Sequence, residues 1–136
     1  MLGRKRHVLT DTLGLVLGVS VHPASVQDRD GAEGRLREAR RCFPFIERVI
    51  ADAGYQGRKM EEVMARTGAW ELQIVRRCDR HRFVVLPERW IVERTLAWIS
   101  RCRRLARDYE RHARKAAAFV QLAMIRLMLR RLAANP

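Results

Sequence analysis

Two carboxylates stand where side-chain chemistry is most readily placed. Asp52 follows the apolar run Val49-Ile50-Ala51 and precedes Ala53-Gly54-Tyr55-Gln56-Gly57, a tight turn. Residues 48–52 read as a short buried strand that ends on this carboxylate. In open α/β sheets, ligands bind outside the carboxyl ends of strands. A carboxylate there supplies the oxygen ligands that a hard cation such as Mg2+ takes. The plainer reading of Asp52 is a turn residue, because Asp before Ala-Gly suits turns. Glu93 is the second candidate. It lies within residues 88–109, which read as one helix at about 100° per residue. Ile91, Thr95, Trp98, Ile99, Cys102, Ala106 and Tyr109 fall on one side of it. Arg89, Glu93, Ala97, Ser100, Arg104, Arg107 and Arg111 fall on the other. Glu93 is thus a lone carboxylate on an Arg-rich stripe. Its plainer reading is an ion pair with Arg89, four residues earlier. The small residues Ala97 and Ser100 on that side leave room for a phosphate backbone.

The elements that must position these residues follow from periodicity and turn chemistry. Residues 7–10 and 15–21 read as strands joined by the turn Asp11-Thr12-Leu13-Gly14, a β-hairpin. Residues 22–27 read as a loop containing Pro23. Asp28 or Asp30 is placed to cap a helix running to about Arg41, weakened by Gly31 and Gly34. Residues 58–67 read as a helix with Met60, Val63 and Met64 on its apolar side. Residues 72–75 and 82–86 read as strands, the second stopped by Pro87. Pro87 and Glu88 suit a helix start. A polar break at 111–115 leads to a last helix ending near Leu132. The order is an α/β plan with hairpin strands first.

The chain has 136 residues, which suits one domain, and 48% of them are hydrophobic, which argues against disorder throughout. Its formal net charge is +13, with 28 Lys and Arg against 15 Asp and Glu. Arg dominates the basic residues, and its planar fork of donors fits phosphate, so a polyanionic partner is expected. Arg4-Lys5-Arg6-His7 reads as part of a phosphate-facing basic patch. Cys42, Cys78 and Cys102 are odd in number and form no CxxC pair, which disfavours a zinc site or disulfide framework and suits a reducing cytoplasm. His7, His22, His81 and His112 lack metal-ligand spacing. Trp70, Trp90 and Trp98 read as packing residues. No signal peptide is visible, and polar residues interrupt the apolar stretch 116–132, so no membrane partner is expected.

Taken together, these blocks resemble DDE transposases of bacterial insertion sequences. Ala51-Asp52-Ala53-Gly54-Tyr55-Gln56-Gly57 resembles the segment around their second catalytic Asp. Leu86-Pro87-Glu88-Arg89-Trp90-Ile91-Val92-Glu93-Arg94-Thr95-Leu96-Ala97-Trp98 resembles the segment around their catalytic Glu. Gly3-Arg4-Lys5-Arg6-His7 with Asp11-Thr12-Leu13-Gly14 resembles the hairpin after the first catalytic Asp, and Arg103-Arg104-Leu105-Ala106-Arg107-Asp108-Tyr109-Glu110 the continuation of the Glu helix. The blocks lie in the family's order and cover most of the chain.

The resemblance implies an RNase H-like fold, a mixed sheet flanked by helices, here an N-terminally truncated domain over residues 1–136 with C-terminal helices. It implies metal-dependent strand cleavage and transfer at DNA phosphodiesters, with three carboxylates holding two Mg2+ or Mn2+ ions about 3.5–4 Å apart. Asp52 would be the second ligand and Glu93 the third. Arg89 matches the family's R-x-x-x-E arginine and is expected on DNA phosphate, with Arg4, Lys5, Arg6, Arg101 and Arg104 as further DNA contacts. The first Asp is expected upstream of Met1, and Asp11 matches a turn Asp of the family, so activity of this chain alone is not expected. Leu86 and Ser100 stand where a wider family pattern has Tyr and Lys, which bears on the DNA contacts. Transposon ends, target DNA and a second copy of the chain are the implied partners, and the cytoplasm, at the nucleoid, is the implied location. The alternatives are a non-catalytic basic nucleic-acid-binding module and an RNase H-like nuclease outside transposition.

Overall fold

A computed structural model describes residues 3–68, 70–75 and 88–135. The expected strand at 82–86, with Cys78, His81 and Pro87, lies outside the described residues. The chain divides into two compact units, one of residues 1–24 and 88–136 and one of residues 25–87.

The first unit is built on a hairpin of β1 (Arg4–Thr10) and β2 (Val16–Pro23). The strands pair antiparallel from Arg4↔Pro23 to Thr10↔Val16, with an irregularity between Leu9 and Thr10. Both strands extend beyond the expected limits. The basic residues Arg4, Lys5 and Arg6 pair with Pro23, His22 and Val21, so the start of the expected loop belongs to β2. Pro23 is the last residue of its strand, where a missing N–H does not interrupt a ladder.

Two helices cover this hairpin, α3 (Arg89–Arg101) and α4 (Ala113–Ala134). Val19 of β2, Ile99 of α3, Leu105, and Val120 and Met124 of α4 form the core. The helix expected over 88–109 stops at Arg101, and a 3-10 turn follows at Arg103–Leu105. The physical cause is long-range. The turn drops Leu105 into the core, and Arg4 and Arg6 reach from β1 to hold the backbone that follows. Arg4 donates to the carbonyl oxygens of Glu110 and Arg111, each at 2.6 Å. Arg6 donates to the carbonyl of Leu105 at 3.3 Å through both terminal nitrogens. Tyr109, expected on the apolar side, is consequently exposed. α4 buries Ala116, Val120 and Met124 and leaves Leu122, Ile125, Leu129 and Leu132 in solvent. No helix among the described residues is long and apolar enough to cross a membrane.

The second unit runs α1 (Asp28–Cys42), β3 (Arg48–Asp52), α2 (Arg58–Thr67) and β4 (Glu71–Val75). β3 and β4 pair in parallel, from Arg48↔Glu71 to Asp52↔Val75, with α2 as the crossover that a parallel pair requires. α1 is continuous through Gly31 and Gly34 because Gly31, Ala32, Leu36 and Ala39 form one buried row, so packing outweighs weak propensity. Gln27 is the cap residue, while Asp28 and Asp30 occupy the first turn and Arg40 and Arg41 the last, matching the helix dipole. α2 buries Met60, Val63, Met64 and Thr67. β3 is not the buried strand expected from its apolar run. Val49 is buried, but Arg48, Ile50 and Asp52 are exposed. Alternate side chains leave opposite faces of a strand, and only one face is covered.

Candidate metal and nucleic-acid site

Asp52 is the last residue of β3, at the carboxyl end of the parallel pair, and its side chain is exposed. Its Oδ1 accepts the backbone N–H of Gly54 at 2.9 Å, which caps the 3-10 turn Ala53–Tyr55 and fixes the carboxylate. The turn therefore uses one oxygen of Asp52 and leaves Oδ2 available to a ligand. Gly54 is required by close approach. A Cβ there would stand 2.9 Å from Asp28 Oδ2 and 3.1 Å from Asp52 Oδ1. Asp28 of α1 thus shares this space with Asp52, a neighbour that no local spacing reveals. Tyr55 lies in the same field. Burial, then Asp28, then Asp52 push its phenol up to about 12, so it stays protonated beside the two carboxylates.

Glu93 projects from the exposed side of α3, with Arg89, Ala97 and Ser100 also exposed. The ion pair offered as its plainer reading is formed, with Arg89 Nε donating to Glu93 Oε1 at 2.9 Å. Two side chains on the neighbouring stripe anchor α3 from below. Thr95 is fully buried and donates to the carbonyl of Gly14 at 2.6 Å. Arg94 donates to the carbonyl of Leu13 at 2.6 Å. Gly14 sits at φ 81°, in the left-handed region, and a Cβ there would stand 2.8 Å from Thr95 Oγ1. The hairpin turn is thereby clamped to the helix that carries Glu93. Asp11 is consumed by the same turn, its Oδ1 accepting from Leu13 N at 2.9 Å and Leu15 N at 2.8 Å.

The remaining basic residues divide by what they touch. Arg4 and Arg6 hold backbone carbonyls, as described above, and Arg4 also faces Asp108 at 3.4 Å. His7 is buried, with its ring edge-on to His22 at 5.2 Å, so it is not a surface member of a basic patch. Arg104 chelates Glu110 Oε1 at 2.9 and 2.5 Å and lies over the Tyr109 and Phe119 rings. Arg101 is exposed and makes no ion pair among the described residues. Removing the Arg4 side chain should leave one part-buried and one exposed carbonyl without their donor, so Arg4→Ala is expected to lower stability by about 1–2 kcal/mol, read from the urea midpoint.

Sequence reasoning passed over one feature of α3. Arg94 lies between two indoles, 4.5 Å from the Trp90 ring and 4.9 Å from that of Trp98. Arg131 of α4 covers Trp98 at 4.6 Å. The four-residue spacing of Trp90, Arg94 and Trp98 was the available signal.

Asp52 and Glu93 are carboxylates, the donor chemistry a hard divalent ion takes, and both are exposed. Among the described residues no group of three or more His, Cys, Asp or Glu is assembled for a metal ion. Asp52 belongs to the second unit and Glu93 to the first.

Comparison with known proteins gives the chemistry a context. A Burkholderia cepacia protein named as a transposase for insertion sequence element IS402 is 30% identical over 133 residues, covering 88% of this chain and 60% of that protein. This chain therefore spans less than two thirds of the relative's length. No solved structure matches. The family described as Transposase DDE domain matches residues 2–128, a stretch that takes in both units, and this chain belongs to that family.

Proposed function

We propose that this chain supplies the second and third metal-binding carboxylates, Asp52 and Glu93, of an RNase H-like transposase that cleaves and joins DNA strands. The observation that carries the reading is an exposed carboxylate, fixed by Gly54 N–H, at the carboxyl end of a parallel strand pair in a chain of this family. No residue of this chain is proposed as the first carboxylate, and the chain alone is proposed to be inactive.

When bound, a pair of Mg2+ or Mn2+ ions would supply nucleophile activation and neutralise developing charge on the phosphate. The protein's part is positional. Gly54 N–H holds Asp52 Oδ1 and leaves Oδ2 available to a ligand. Arg89 holds Glu93 through Nε. A guanidinium is a fork, so the terminal nitrogens of Arg89 stay available for a phosphate oxygen while Glu93 remains oriented. Arg101, further along the same exposed side, supplies a second cation. Arg4, Arg6 and Arg104, tied to the protein's own carbonyls and carboxylates, contribute to the field more than to contacts.

Self-association is part of the same proposal. Leu122, Ile125, Leu129 and Leu132 are exposed at alternating three- and four-residue spacing, the seam of a coiled coil. In a parallel pair, Gln121 would face Arg126, so no like charges meet across it. Leu129→Glu is expected to reduce the mass measured by light scattering to that of a monomer.

The reading as a whole is tested by a strand-transfer assay on element ends with Mn2+, using the protein completed by its first carboxylate. Joined products support transposition. Cleavage without joining indicates a nuclease. Salt-sensitive binding with no metal dependence indicates a basic binding module.

A further inference from the structure

We infer that Trp90 is a stacking platform for an unpaired nucleobase on the outer side of α3. The inference deepens the proposed function, because it assigns part of the DNA contact on the helix that carries Glu93.

Three observations carry it. Trp90 is 51% exposed, unusual for the largest apolar side chain, at a position one residue after Arg89 and three before Glu93. One face of its ring is backed by the Arg94 guanidinium at 4.5 Å. Arg94 is itself fixed by the Leu13 carbonyl and by Trp98, which Arg131 covers in turn. The indole is therefore held in place before any ligand arrives, and a ligand on its open face orders little.

The surroundings select the ligand class. At about 100° per residue, Trp90, Ala97 and Arg101 fall within about 40° of one another around the helix. Arg101 lies eleven residues on, about 16 Å along the axis. Ala97 between them is small and exposed. An aromatic face, a low saddle and a cation in line suit a base followed by its backbone phosphates. Bases inside a duplex have both faces covered by their neighbours, so only an unstacked base or a duplex end can lie on Trp90. Stacking of this kind is sequence-tolerant and removes about 1–3 kcal/mol per base when the aromatic is cut to Ala.

The test is a binding measurement on this chain in EDTA, which separates it from any cleavage assay. The probes are a short fluorescent thymidine oligonucleotide and a relaxed closed-circular duplex, which has no open ends, compared at equal phosphate concentration. The chain is expected to bind both. Trp90→Ala should weaken thymidine oligonucleotide binding by about tenfold and duplex binding by less than about twofold, while Trp90→Phe keeps most of the affinity. In the unsubstituted chain the oligonucleotide should quench tryptophan fluorescence, and Trp90→Phe should remove that quenching while Trp70 and Trp98 remain. The inference is overturned if Trp90→Ala leaves oligonucleotide binding unchanged, if it weakens both probes equally, or if Phe is as poor as Ala. Should Trp90→Ala fail to fold by circular dichroism, unchanged quenching in Trp90→Phe overturns it by itself.

Discussion

In a transposase that joins this chain to the family's first carboxylate, Asp52→Ala is expected to abolish strand cleavage, by a thousandfold or more, about 4 kcal/mol of transition-state stabilisation. DNA affinity should change little, because Asp52 is an acceptor and binding rests on Arg. Glu93→Ala should match it in cleavage. Its effect on binding differs in sign, since freeing Arg89 from Glu93 leaves a guanidinium with more donors for phosphate. Glu93→Gln retains an acceptor for Arg89 and lacks the charge, so it should be as inactive as Ala while keeping binding at the starting level. The double variant should be no worse than either single one, because ligands of a shared ion pair act as a unit. Additive losses would indicate two independent roles.

The second large effect concerns the clamp between the hairpin turn and α3. Gly14→Ala is expected to lower stability by about 2–5 kcal/mol. Left-handed backbone costs an L residue about 1–2 kcal/mol, and a Cβ 2.8 Å from Thr95 Oγ1 adds overpacking of about 1–3 kcal/mol. Thr95→Val attacks the same contact from the other side. It keeps the volume and removes the hydroxyl, leaving the Gly14 carbonyl buried without its donor, for about 1–3 kcal/mol. Thr95→Ser retains the donor and should lose less than Val. Urea unfolding followed by circular dichroism reads all three. On the role proposed for Glu93, the Gly14 variant should also weaken function, because this contact seats α3 and a metal-binding carboxylate must be placed within about half an ångström.

Local signals made much of the fold legible. The turn Asp11-Thr12-Leu13-Gly14 predicted the hairpin, and the apolar spacing of Met60, Val63 and Met64 predicted α2 to the residue. Asp52 at a strand end and the Arg89–Glu93 pair were both readable from a few neighbouring residues. What failed was set by distant parts of the chain. The periodic stripe of α3 continues on paper to Tyr109, yet the helix stops at Arg101 because Arg4 and Arg6 hold the following backbone from β1. The same contacts engage Arg4 and Arg6 with backbone carbonyls, and a run of charges does not record which carbonyls lie within reach. His7 is buried although its neighbours in the run are basic, and the run does not record which of its side chains are covered. Val49-Ile50-Ala51 suggested a buried strand, but among the described residues β3 buries Val49 and leaves Arg48, Ile50 and Asp52 exposed. Asp28 beside Asp52 depends on how α1 packs over the turn at Gly54, and twenty-three intervening residues hide that from any pattern.

The central claim is that Asp52 and Glu93 hold common divalent ions. Iron-mediated backbone cleavage tests it most directly. Fe2+ is loaded in place of Mg2+ into the completed transposase, hydroxyl radicals are generated at the bound ion, and the cut sites are mapped by mass spectrometry. Cuts are expected next to both position 52 and position 93, and Asp52→Ala or Glu93→Ala should suppress both sets. Cuts at one position alone, or cuts near 93 that persist in Asp52→Ala, would contradict a shared site.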